Sequence, residues 1–364
     1  MSNLRSVKRL MLFLLSLWFS TILCAQDLQV VCAIPVEITE CSGMCPAVSS
    51  AYWMLNDGGN PAELYLVDTS GTVLRTLTIS NLSNVDWESL ASDDSGNIYI
   101  GDFGNNDNNR SNLRIGRINA QDLPRDTVDA EIIEFAYEDQ LAFPPARSDF
   151  RFDCEAMFLM GDSIYLITKN WTNPFTGMAY LYSLPKDMSD SQARLQDSAY
   201  LGDNSFLSQV TDCVILDDKL LMLGYGGVWV CRKSGSDIKF SDPKYHSFGG
   251  VRQFEAIASE DSVRFLIAEE AMGGNANMYR FRLDRSAAGV EGETLELELQ
   301  YAESGLILHS VHMNFHSVTL MDIGGRLIYE SESGKRFVPI TKTGIYLLTV
   351  STDRGIIRRK IAWQ

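Results

Sequence analysis

Histidine is scarce in this chain: four in 364 residues, three of them beyond residue 300. That leaves little material for a histidine-based triad, and no nucleophile elbow or phosphate loop is present. The six cysteines beyond residue 25 include no Cys-x-x-Cys pair and lie far in sequence from the histidines, so a zinc site is not expected. Clustered basic charge is also missing. The formal net charge is −16, and Lys and Arg are scattered, which excludes nucleic acid and disfavours other polyanions or an anionic membrane. Helical periodicity is thin as well, since after the first two dozen residues no stretch sustains a 3.6-residue period over three turns.

Short β-branched and aromatic runs bounded by Gly, Asn, Asp and Ser occur throughout instead, so the chain reads as all-β. Residues 1–25 stand apart. Arg5, Lys8 and Arg9 precede an apolar run from Leu10 to Leu23, and Ala25-Gln26 offers a small-residue cleavage point, the pattern of a secretory signal peptide. The run is too short for a spanning helix, which needs roughly 20 residues, and no later segment is apolar enough to span a bilayer. Cleavage there would take the net charge to −19, from 28 basic and 47 acidic side chains. Six cysteines in an exported chain permit disulfides. One bridge within Cys32, Cys41 and Cys45 is expected, with Cys154 and Cys213 as buried thiols.

A repeat organises the next 270 residues or so. Trp87-Glu88-Ser89-Leu90-Ala91, Cys154-Glu155-Ala156-Met157-Phe158 and Phe254-Glu255-Ala256-Ile257-Ala258 each lead, after a turn, into a second strand. A spacing of 14 connects Glu88 with Asp102, Glu155 with Lys169, Thr211 with Tyr225 and Glu255 with Glu269, and a more degenerate copy runs from Ser42 to Asn56 or Asp57. Repetition at a period of about 40 to 65 residues, with several short strands per unit, predicts a β-propeller. Five blades are counted, six being the alternative, over residues 26–295, with Leu28 to Ile34 completing the last blade so that no edge is left open.

In a propeller the innermost strand of each blade lines the axis and starts on the face where the second strand ends. The repeat therefore predicts one funnel ringed by Ser42, Glu88, Glu155, Thr211 and Glu255, with Asp57, Asp102, Lys169, Tyr225 and Glu269 beside them. Carboxylates around one axis repel unless a cation, a lysine or protonation relieves them, and Lys169 is the only basic member. Glu88, Asp102, Glu155, Glu255 and Glu269 are the candidate metal ligands, with calcium the candidate cofactor. Glu88, Glu155 and Glu255 are also the candidates for a general base. The Asn-rich segment Gly101 to Arg110 could add oxygen donors or serve as a turn held by its own side chains.

From about residue 300 the pattern changes. Ser317 to Tyr329, with Asp322-Ile323-Gly324-Gly325-Arg326 inside it, then Thr343-Gly344-Ile345-Tyr346, then Arg358-Arg359-Lys360-Ile361, resemble the C-terminal sorting domain of the type IX secretion system of Bacteroidota. The resemblance covers residues 300–364, lacks the family's usual Tyr-Pro-Asn-Pro opening, and implies a small β-sandwich that addresses cargo to the secretion machinery. The repeats themselves are similar to a group of exported bacterial propellers that carry the same tail and, through their Glu-Ala steps, to esterase-like phytase propellers and more distantly to calcium-dependent lactonases. These resemblances imply a secreted or outer-membrane-surface propeller. It would bind a small-molecule, glycan or peptide ligand at an acidic funnel, or act as a metal-dependent esterase, lactonase or phosphatase-like hydrolase.

Overall fold

The computed structural model describes residues 28–363 apart from 48–49, 188–190, 272–273, 284–297, 303–304, 310–314, 323–325, 332–334, 336 and 353–354. Residues 1–25, where a signal peptide is expected, lie outside the described residues. No helix among the described residues is long and apolar enough to cross a membrane. The chain divides into two compact units, Met1–Gly289 and Val290–Gln364.

The first unit is a five-bladed propeller. After β1 (Gln29–Ala33), blade one is β2 (Cys41–Pro46), β3 (Ala51–Asn56), β4 (Glu63–Asp68) and β5 (Val73–Ile79). Blade two is β6 (Trp87–Ser92), β7 (Ile98–Asp102), β8 (Leu113–Ile118), the short β9 (Thr127–Val128), which pairs in parallel with β5, and β10 (Glu131–Tyr137). Blade three is β11 (Asp153–Met160), β12 (Ser163–Lys169), β13 (Met178–Pro185) and β14 (Gln192–Tyr200). Blade four is β15 (Asp212–Ile215), β16 (Lys219–Gly224), β17 (Gly227–Ser234), the short β18 (Asp237–Ile238) and β19 (Lys244–Ser247). Blade five is β20 (Phe254–Ser259), β21 (Arg264–Glu269) and β22 (Asn277–Arg282), and β1 supplies its outer strand by pairing antiparallel with β22. The expected closure by the N-terminal segment is what the topology shows.

Packing between blades supplies the core. The residues facing neighbouring sheets are aliphatic and aromatic, as where Trp87, Leu90 and Ile100 of blade two meet Cys45, Trp53 and Leu55 of blade one. All six described cysteines are free thiols, which corrects the expected bridge within the Cys32, Cys41 and Cys45 trio. Cys41 and Cys45 lie four residues apart on one strand, on the order of 13 Å, well beyond disulfide reach. They also pack into different inter-blade cores.

The second unit is a small β-sandwich. Among the described residues it has seven strands, β23 (Glu298–Ala302), β24 (Gly305–His309), β25 (Phe315–Asp322), β26 (Leu327–Ser331), β27 (Phe337–Pro339), β28 (Gly344–Thr352) and β29 (Gly355–Trp363). They form a three-stranded sheet and a four-stranded sheet. Leu306, Leu308 and Val338 of the first share one core with Val318, Leu320, Leu348 and Val350 of the second. At the Asp322 turn, the Arg326 N–H donates to Asp322 Oδ1 at 3.0 Å and the Asp322 N–H donates to the Arg326 carbonyl at 2.9 Å.

Candidate functional site

The inner strands of four blades carry a β-bulge at the residue that opens the repeat: Ser42, Glu88, Glu155 and Glu255 are each the extra residue in their hairpin's register. A bulge leaves that residue unpaired and re-aims its side chain. All four line one cavity of about 210 Å³ at the end of the propeller where the inner strands begin. The position after the bulge meets the other blades at the axis and is held to Gly43, Ser89, Ala156, Asp212 and Ala256. At Gly43 the approach is so close that an added Cβ would lie 2.8 Å from the Leu90 nitrogen.

Two of these axial residues close the channel beneath the cavity. Ser89 Oγ donates to Asp212 Oδ1 at 3.1 Å and accepts from the Met157 N–H at 3.1 Å, while Asp212 Oδ2 accepts from the Ile257 N–H at 2.8 Å. Four blades are thus tied through one buried hydroxyl–carboxylate pair. The cavity above this plug is a blind funnel.

The predicted ring members separate into two groups. Glu88, Glu155, Glu255, Asp57, Lys169 and Tyr225 line the funnel together with Ser42. Thr211 does not line it; its hydroxyl donates to the Phe254 carbonyl at 2.6 Å, just as Ser42 Oγ donates to the Trp87 carbonyl at 2.6 Å, so both tie adjacent blades. Asp102 and Glu269 also lie outside the funnel, contrary to the expectation from spacing. Asp102 is fully buried, with Arg110 at 3.0 Å from Oδ1 and Arg114 against Oδ2. Glu269 accepts from Arg252 at 2.9 Å, from the Asn277 N–H at 3.0 Å and from the Tyr279 hydroxyl at 3.1 Å.

Register explains the difference. The residue after each opening position pairs 12 positions on in blades one, two and five (Gly43 with Leu55, Ser89 with Gly101, Ala256 with Ala268), but 11 on in blades three and four (Ala156 with Ile167, Asp212 with Leu223). A constant spacing of 14 therefore lands on Lys169 and Tyr225 correctly and one residue short elsewhere, and one residue in a strand reverses the face. Of the positions this register selects, Asp57, Lys169, Tyr225 and Glu270 line the funnel, whereas Phe103 of blade two is buried in the inter-blade core.

Sequence reasoning missed several members. Glu40, Asn106, Trp171, Gln253 and Glu270 also line the funnel, and Asp86 lies behind it. The available signal was a polar residue two positions before the opening residue in every blade: Glu40, Asp86, Asp153, Gln209 and Gln253. Asp153 is buried and holds the rim, accepting from Trp171 Nε1 at 2.6 Å and from the Asn105 N–H. The Asn-rich loop is a self-bonded turn: Asn105 Oδ1 accepts from the Arg110 N–H at 2.9 Å, and Asn108 Nδ2 donates to the Asn105 carbonyl at 2.9 Å. Only Asn106 of these amides lines the cavity.

Charge inside the funnel is unevenly compensated. Lys169 Nζ bonds Glu155 Oε1 at 2.9 Å and sits 5.5 Å and 5.7 Å from the Trp171 and Tyr225 ring centroids. Gln253 Nε2 bridges Glu255 at 3.4 Å and Glu270 at 3.1 Å. Glu88, only 6% exposed, accepts no hydrogen bond among the described residues. One carboxylate oxygen from each of Asp57, Asp86 and Glu88 lies within 4.8 Å of the others, and Gly104 leaves them room, since a Cβ there would come 2.5 Å from Glu88 Oε1.

Burial, reinforced by Glu155, Asp57, Asp153 and Asp86, pushes Glu88 well above the usual carboxylate range. Burial likewise raises Asp57 to about 6 and Asp86 to about 7. Glu255 is raised to about 7 by burial, with Lys169 opposing. Protons held by the folded protein in this window have already left the unfolded chain, whose carboxylates titrate near 4. Stability should therefore fall as pH rises from about 4 through 7. In the presence of a chelator, the melting temperature is expected to be higher at pH 5 than at pH 8; a rise over that interval would contradict the account.

The sequence matches no protein-family model and no curated protein. Among solved structures, it aligns with PorZ, an essential bacterial surface component of the type-IX secretion system of Porphyromonas gingivalis, at 13% identity and a TM-score of 0.37, over 88% of this chain but 44% of that one. A gluconolactonase from Xanthomonas campestris aligns at 10% identity and 0.39, covering 67% and 72% of the two chains. A streptogramin B lyase aligns at 11% and 0.37, covering 79% and 96%. The propeller architecture itself rests on the strand topology above, and likenesses this distant carry nothing about activity.

Proposed function

We propose that the first unit is a ligand-binding propeller whose funnel holds a divalent cation, calcium being the candidate, at Asp57, Asp86 and Glu88. One observation carries this reading: Glu88 is a buried carboxylate without a hydrogen-bond partner among the described residues, facing two further carboxylates at bonding range of a shared ion. Carboxyl groups so placed need protons or a counter-ion, and an all-oxygen donor set suits a hard cation. Of the other expected ligands, Asp102 and Glu269 are occupied by arginines and Glu155 by Lys169. A cation in this corner, with Lys169 on the adjoining blade three, would hold a small oxygen-rich ligand between them.

Calcium in place of chelator is expected to raise the melting temperature of the wild-type protein, and Asp57→Asn is expected to remove most of that rise. No difference between calcium and chelator would count against the cation. A second reading is favoured by Glu255, whose pKa of about 7 suits a general base beside a metal-bound water. Turnover of an ester, lactone or phosphate substrate, lost in Glu255→Gln, would support hydrolysis, and inactivity across the panel would leave the binding reading.

The leader-like start and the sorting-domain motifs support export to the cell surface through type IX secretion. Deleting residues 300–364 is expected to leave the propeller folded and the protein in the periplasm of its native host. Normal export of the truncated chain would refute that assignment.

A further inference from the structure

Exposed apolar side chains in the propeller are distributed unequally between its two faces. Five of them, Val30, Leu74, Leu195, Tyr200 and Tyr245, sit on the outermost strands of blades. Every loop that leads into an inner strand carries at least one more: Val36, Val85, Leu141 with Phe143, Phe206 and Val251, with Leu141 90% and Val36 86% exposed. These loops all lie on the funnel face. The loops of the opposite face expose no large apolar side chain among the described residues. Isolated surface hydrophobics need no explanation, but exposed apolar loop residues gathered on the one face that opens onto the funnel mark an interaction surface.

We infer that the funnel face docks an extended polypeptide segment that lays apolar side chains on this rim and sends a lysine or arginine side chain into the funnel. Three observations select this occupant. The lining sets six carboxyl groups, Glu40, Asp57, Glu88, Glu155, Glu255 and Glu270, against the single ammonium of Lys169, and a basic group complements such a wall. The wall already seats one ammonium between two ring faces, those of Trp171 and Tyr225. The rim is mostly aliphatic, suiting the alternate side chains of a peptide better than the flat faces of a sugar. The inference uses the funnel's acidity and not the cation proposed above, so the two can fail separately.

The probe is a capped, fluorescein-labelled pentapeptide of sequence phenylalanine-leucine-lysine-leucine-phenylalanine, titrated with the full chain by fluorescence anisotropy. Saturable binding to the wild type is expected. It should weaken at least tenfold when glutamate replaces the lysine, when serines replace the four apolar residues, and in the triple variant Leu141→Ser, Phe143→Ser, Phe206→Ser. All three sites are solvent-exposed, and should that variant melt early, Val36→Ser with Val251→Ser reads the same rim from two other loops. The calcium response should be unchanged in either rim variant. Absence of saturable binding, equal binding of the glutamate peptide, or equal binding by both rim variants overturns the inference. So does self-association of the wild type that the rim variants abolish without affecting the peptide, because the rim would then belong to a second copy. Peptide binding that survives Glu88→Gln while the calcium response is lost would support it independently of the cation.

Discussion

Replacing Lys169 by methionine should destabilise the propeller by about 3 to 5 kcal/mol, the loss expected when one partner of a buried ion pair is removed. Lys169 and Glu155 have side chains 8% and 4% exposed and bond at 2.9 Å, so little solvent is at hand to replace the lost partner. The effect should depend on pH in a defined direction. Burial already raises Glu155 above its ordinary range and Lys169 is what opposes it. Without the lysine, Glu155 rises further and folds only with a proton. The unfolded chain gives that proton up above about pH 4.3, so the variant's deficit should be small near pH 5 and grow toward pH 8. Urea denaturation at the two pH values measures it. A deficit independent of pH would mean that the loss is one of packing and not of charge.

Asp102→Ala should cost a similar amount, about 3 to 5 kcal/mol, and leave the calcium response intact. Its carboxylate is fully buried and joins Arg110, Arg114 and the Asp86 N–H, so alanine would strand two guanidinium groups that are themselves only 12% and 19% exposed. This variant separates the two kinds of carboxylate in the repeat. Had the spacing of 14 located the site correctly in blade two, Asp102 would be a ligand and its loss would reduce calcium binding. In the structure it is a strut. Denaturation and a calcium melt on the same sample report both quantities, and a weakened calcium response at temperatures where the protein remains folded would return Asp102 to the site.

Much of the architecture was legible because propeller blades repeat both a hydrophobic pattern and a polar punctuation. The strand that completes the last blade, placed by the sequence within Leu28 to Ile34, is found at Gln29–Ala33, and its closing role followed from the need to cover an edge. The opening glutamates were legible for the same reason, since each stands before a run of small and apolar residues. Their bulges were not, because a bulge is a feature of pairing and not of composition. Hairpin length hid the rest. The one-residue difference between blades two and three turns Asp102 away from the axis and Lys169 toward it, although both stand 14 residues from their glutamates. Asp86, Asp153 and Gln253 form a polar position two residues upstream of the opening glutamates, but a polar residue before a strand does not by itself set a site apart from a turn. The plug formed by Ser89 and Asp212 could not be foreseen, because it joins residues 123 positions apart across the axis.

The most direct test of the cation site is a calorimetric titration of calcium into the wild-type protein and Glu88→Gln at pH 7, which changes one buried carboxylate into its neutral isostere. The wild type should bind one ion, and Glu88→Gln should bind it at least tenfold more weakly, a loss of about 1.4 kcal/mol or more. Equal affinity in the two proteins, or no binding to the wild type, would contradict the assignment of the funnel as a cation-dependent binding site.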